Sequence, residues 1–209
     1  VFLDPARRGG QMIAGAKYAL APFIGAHPDD FAFVTNATGG INAVLRSLTF
    51  KPDDELLTTT HVYNAVRQTM KYLAERSGAT YRVIDIPLPL SGDEHIVRAI
   101  ESGIGPNTRL FVVDHVTSPT AVIFPVKRIV DICAARGIDV LIDGAHAPGM
   151  IPLDVELISP AYYSGNLHKW LFAPHGTGML YVRRNRIREL WSLMAAPIEM
   201  ADTIRKFEE

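Results

Sequence analysis

The stretch RLFVVDHVTSPTAVIFPVKRIVDICAARGIDVLID, Arg109–Asp143, sets two short apolar runs on either side of a segment with helical spacing. Arg109–His115 and Ile138–Asp143 are continuous and rich in Val, Ile and Phe, the pattern of strands buried on both faces. Between them PVKRIVDICAARG repeats its apolar residues at a helical interval and closes on Gly137. Strand, helix, strand at this length reads as a parallel crossover, and the fold class is therefore α/β.

The same unit recurs outward from this stretch. Toward the N-terminus lie TYRVIDI followed by DEHIVRAIESG, then ELLTTT followed by HVYNAVRQTMKYLAERSG, which ends at Gly78. Before these, the strand Phe31–Thr35 runs through TNATGG, Thr35–Gly40, into a helix with Ile41, Val44, Leu45 and Leu48 on one face. A first helix over Gln11–Ile24 is broken by Pro28, Asp29 and Asp30. Toward the C-terminus APHGTGMLYV turns at Gly176 and Gly178 into a further strand. The expected architecture is a mostly parallel sheet sandwiched by helices.

Composition narrows the function. Across 209 residues, 21 Lys and Arg face 22 Asp and Glu, a net charge of −1 that provides no general field for nucleic acid or an anionic membrane. Small ligands are the expected partners. No apolar run approaches the length of a membrane span, Val1 opens on FLDPARRGG rather than a signal peptide, and the chain reads as cytoplasmic. The one cysteine, Cys133, precludes an internal disulfide and sits where a helix face packs. No metal site is read from the sequence.

Chemistry concentrates at the strand ends, where open α/β sheets form their ligand crevice. TNATGG places Thr38 and the amides of Ala37 to Gly40 at a helix start, either an anion site or a capped turn. His61 and Tyr63 lie where a strand gives way to a helix, and either ring could stack on a planar ligand or simply cap. Asp143 ends a buried strand, where a carboxylate is costly unless it meets a partner such as a protonated ring nitrogen, or caps the next turn. His146 follows three residues on. Lys169 stands among Tyr162, Tyr163, Trp170 and Phe172. Desolvation in such company leaves an amine partly neutral and nucleophilic, as a Schiff base needs, although a stem lying along an apolar rim would look the same.

TNATGG, DHVTSPTA, IDGAHAPG and GNLHKW, in this order and each at a strand end, resemble the class V aminotransferase family of fold type I enzymes that use pyridoxal 5'-phosphate, and among them the isopenicillin N epimerase-like members. The likeness runs from about Phe31 to Arg183 and implies the large domain of that fold. It implies that Lys169 forms the Schiff base with the cofactor and that Asp143 pairs with the pyridine nitrogen. Ala37, Thr38 and Gly39 would hold the phosphate with help from His168, His61 would stack on the ring, and His146 would lie beside the ring oxygen. Asn166 stands where related enzymes often have serine and Ser118 where they have asparagine, both beside the cofactor. The activity implied is epimerase or lyase chemistry on an amino-acid substrate, with an aminotransferase, or a truncated cofactor-binding module without turnover, as alternatives. A cysteine desulfurase is disfavoured, since Cys133 lies on a helix rather than a mobile loop. The likeness also implies a homodimer with Gly176 and Gly178 near the two-fold. Residues 1–30 are expected to form a helical segment, 31–192 the cofactor-binding domain and 193–209 the start of a C-terminal part.

Overall fold

The computed structural model describes residues 5–194 and 196–208, with side chains described from residue 9 onward. Helix α1 (Pro5–Ile24) leads through a 3-10 turn at Pro28–Asp30 into β1 (Phe31–Val34), which α2 (Ala37–Ser47) follows after two residues. β2 (Glu55–Thr59), α3 (Asn64–Ser77), β3 (Thr80–Ile84), α4 (Asp93–Gly103), β4 (Thr108–Asp114), α5 (Val126–Ala134) and β5 (Asp139–Gly144) then alternate. A short α6 (Val155–Ile158) precedes β6 (Tyr162–Asn166) and β7 (Gly178–Val182), after which the described residues form only 3-10 turns.

All the strands join one seven-stranded sheet in the order β1-β7-β6-β5-β4-β2-β3. Pairing is parallel from β3 across to β6, and β7 alone runs against both of its neighbours, β6 and β1. The α/β expectation holds, with this one reversed strand.

Two cores lie on opposite faces. Side chains alternate along each strand, so β4 sends Phe111 and Val113 to one core and Leu110 and Val112 to the other. The first core receives Ile96 and Ile100 of α4, Ile129, Val130 and Cys133 of α5, and Ala21 and Ile24 of α1. The second receives Ile41, Val44 and Leu45 of α2 and Val66 and Met70 of α3, the faces their helical spacing predicts. Each of the Ile, Val, Leu and Met side chains among these, taken out of water, contributes about 1.5 to 3 kcal/mol before entropy is counted against it. Cys133 is fully buried and its thiol is pushed up to about 12 by burial, so it packs as an inert side chain.

Some boundaries differ from the sequence reading. α3 begins at Asn64 rather than His61, because Val62 N–H turns back to the Thr59 carbonyl at 3.2 Å and Tyr63 keeps extended backbone angles. The sequence places GNLHKW at a strand end without bounding the strand, which the structure supplies as β6. It is wholly buried between β5 and β7, with Tyr162 pointing to one core and Tyr163 to the other. Near the C-terminus Ile204 enters the second core, and Lys206 is buried with its ammonium donating to the carbonyls of Ile187 and Ala201 at 2.6 and 2.7 Å. No helix among the described residues is long and apolar enough to cross a membrane.

Candidate active site

The ends of β4, β5 and β6, the start of α2 and the loop from Leu167 to Thr177 enclose a cavity of about 490 Å³. Thr38, Ser118, Asp143, His146, Asn166, His168 and Lys169 all line it, although they span more than half of the sequence. The sheet brings them together because successive parallel strands deliver their C-terminal ends to one edge.

Asp143 is the penultimate residue of β5 and is buried. One of its oxygens accepts the Ala145 N–H at 3.0 Å. Burial pushes its carboxyl up, to about 6, against the pull of the Ala145 amide and of Lys169. Beside it, in register on β4, stands Asp114. Its Oδ1 is buried with no protein partner, and the residue lines the cavity. Burial first, and the Asp143 charge second, push Asp114 up to about 8. Two adjacent buried carboxyls cannot both ionise cheaply, so the pair keeps a proton at neutral pH. Asp114 carries the same signal in the sequence as Asp143, since it too is a carboxylate ending a buried strand.

Lys169 follows β6 on the returning loop, where Leu167 and His168 both donate to the Thr177 carbonyl at 3.0 and 3.2 Å. Its amine lies 3.0 Å from His146 Nε2. Desolvation lowers the lysine pKa, opposed by the charges of Asp143 and Asp114. His146 is likewise lowered, by burial and then by Lys169, and its Nδ1 accepts the Trp170 indole N–H at 3.3 Å. His168 donates its Nδ1–H to the Thr177 carbonyl at 2.7 Å. Its Nε2 can therefore donate to an anion only when the ring is protonated.

The start of α2 is more committed than TNATGG suggests. Asn36 caps the helix by accepting the Gly39 N–H at 2.8 Å, and the Gly40 N–H goes to the Asn36 carbonyl at 3.1 Å. The buried Ala37 N–H donates to Asn166 Oδ1 at 2.7 Å. Ala37 and Gly39 thus spend their amides on the fold and lie outside the cavity lining, which leaves the Thr38 amide and hydroxyl as the donors this helix start offers. Gly40 lets α2 lie against β6, since a Cβ there would collide with the Ser164 hydroxyl.

His61 does not reach the cavity. It is buried, its Nε2–H donates to the Ile86 carbonyl at 2.8 Å, its Nδ1 lies 3.3 Å from the Thr120 hydroxyl, and its ring packs edge-on to Phe124. Tyr63, two residues on, lines the cavity instead. A histidine and a tyrosine at one strand end look equivalent in sequence. The turn at Val62 separates them.

Over 175 residues the chain is 38% identical to isopenicillin N epimerase of Streptomyces clavuligerus, covering 84% of this chain and 44% of that one. It is 35% identical over 173 residues to a probable chloroplastic L-cysteine desulfhydrase of Arabidopsis thaliana, covering 76% and 36% respectively. The solved complex of the cystine C-S lyase C-DES with its product cysteine persulfide superposes with a TM-score of 0.87 at 28% identity, over 99% of this chain and 58% of that one. The chain spans less than half the length of these curated relatives. The model of the Aminotransferase class-V family matches residues 4–205, and the chain belongs to that family.

Proposed function

We propose that this chain is the cofactor-binding domain of a pyridoxal 5'-phosphate enzyme that acts at the α-carbon of an amino acid, as an epimerase or a lyase. The observation that carries the reading is the meeting, in one cavity, of a desolvated lysine amine with a buried acid at the end of the central strand. The donor set fits the cofactor. Lys169 is the amine for its aldehyde, Asp143 the acid for its ring nitrogen, and the free amide and hydroxyl of Thr38 suit its phosphate, with His168 adding charge when protonated. Tyr63 provides an aromatic face where His61 does not. When bound, the cofactor supplies an electron sink for a bond broken at the substrate α-carbon.

The protein's own contribution is positional and acid–base. Asp143, ionised against a cationic ring, holds that ring's proton in place, while Asp114 keeps its own proton beside it. Lys169, once its amine is free, can remove or return a proton at the α-carbon, because desolvation keeps part of it in the basic form. Support for both outcomes comes from the relatives, of which one group is named for epimerisation and another for cysteine desulfhydration. A partner is proposed as well, namely a second copy of the chain. Phe172 is 85% exposed and Trp170 45% exposed on the loop that carries Lys169, an apolar rim suited to an isologous contact.

Adding pyridoxal 5'-phosphate to the purified chain is expected to give a visible absorption band that Lys169→Ala abolishes. A colourless wild type would overturn the reading. Titration with L- and D-amino acids then separates the two chemistries, through exchange of the α-proton in deuterated water for an epimerase and release of sulfide and pyruvate from cysteine for a lyase.

A further inference from the structure

Lys169 is met by His146 on one side, and His146 is met by Trp170 on the other. The proton count along this line has one solution. Indole N–H only donates, so the contact at 3.3 Å fixes His146 Nδ1 as the acceptor. A neutral imidazole then carries its single proton on Nε2. That N–H points at the Lys169 amine 3.0 Å away, and it can be accepted there only by a lone pair. An ammonium has none. An imidazolium at His146 is ruled out by the same contact, since two N–H groups would face each other at Nδ1.

We propose that Trp170 is a positioning residue that, through the tautomer it imposes on His146, holds Lys169 as the free amine. The inference deepens the reading of Lys169 as the cofactor's amine and rests on it for its purpose. The charged groups around the amine pull the other way. Asp143 at the end of β5 favours the ammonium, and Asp114 at the end of β4 does so once it ionises, while His168 and His175 line the same cavity from the lysine's own loop. Burial of Lys169 and His146 works with the Trp170 contact, lowering the affinity of both for a proton. Removing the indole N–H lets the imidazole proton move to Nδ1. Nε2 then becomes an acceptor for an ammonium, and the Asp143 carboxylate prevails.

The test needs no cofactor. The cofactor-free chain is labelled with trinitrobenzenesulfonate across a range of pH, and modification of Lys169 is followed by peptide mass mapping. In wild type the midpoint should lie below that of an ordinary lysine. Trp170→Phe, which keeps an aromatic ring but no donor, should slow labelling near neutral pH by about tenfold, the effect of a rise of about one unit in the amine's pKa. In a His146→Asn background the same substitution should change nothing further, because its effect passes through the imidazole. A wild-type midpoint at the ordinary lysine value, an unchanged rate in Trp170→Phe, or equal slowing in both backgrounds would each overturn the proposal. Expected labelling in a chain that stays colourless with pyridoxal 5'-phosphate would instead leave it standing and defeat the functional reading above.

Discussion

Asp114 and Asp143 end neighbouring parallel strands side by side, and their shared burial gives the cavity floor a proton that ordinary carboxyls would have lost. Both are raised above the unfolded value near 4, so the folded chain binds more protons than the unfolded one between that value and the folded ones of about 6 and about 8. Their contribution is therefore complete below the unfolded value and is lost as pH rises through the folded ones. The pair's contribution to the stability of the cofactor-free chain should fall from about pH 5 to about pH 8, against the opposite contribution of buried His115, pushed down to about 4, and Asp114→Asn should change the difference in stability between those pH values by an amount on the order of 1 to 3 kcal/mol. Urea unfolding midpoints at the two ends of the range measure this. An unchanged pH dependence in Asp114→Asn would show that other groups set it. Asp143 was legible in the sequence as a buried strand-end carboxylate, whereas the pairing that changes its chemistry depends on which strands become neighbours.

At the scale of elements, α2 is aimed by β6. Asn166 Oδ1 accepts the Ala37 N–H, and Ser164 Oγ lies 3.1 Å from the carbonyls of both Ala37 and Met179, so one polar seam ties a helix start to two strands. Asn166→Ala leaves the buried Ala37 N–H without its acceptor and should cost about 1 to 3 kcal/mol, measured by denaturant unfolding without cofactor. A change within error would mean that water or a shift of α2 satisfies the amide. The strand–turn–helix at TNATGG was readable because glycine, a hydroxyl and helical spacing coincide there. Its capacity for an anion is smaller than the motif suggests, since Asn36 and Asn166 compete for the amides and only one of them is a near neighbour in sequence. His61 and Tyr63 show the same limit, because a one-turn difference in where α3 begins decides which ring faces the cavity.

For the molecule as a whole, continuous apolar runs make the parallel sheet legible, while the small and polar residues Ser164, Gly165 and Asn166 leave the bounds of β6 unmarked even though GNLHKW reads as a strand end. The homodimer proposed above predicts that cofactor retention falls on dilution below the dimer's dissociation constant. Analytical ultracentrifugation with detection in the visible band follows both quantities at once, and a monomer that keeps its full cofactor complement would refute the dependence. The sheet order has a further consequence for how the chain comes into being. Within this sheet β1 is made before the other strands but hydrogen-bonds only to β7, made after them, and the amide that aims α2 waits for an acceptor 129 residues away. During synthesis β1 therefore has no partner in this sheet until β7 has left the ribosome. The cradle at α2 is a late product of vectorial folding, so its completion reports that the sheet has closed.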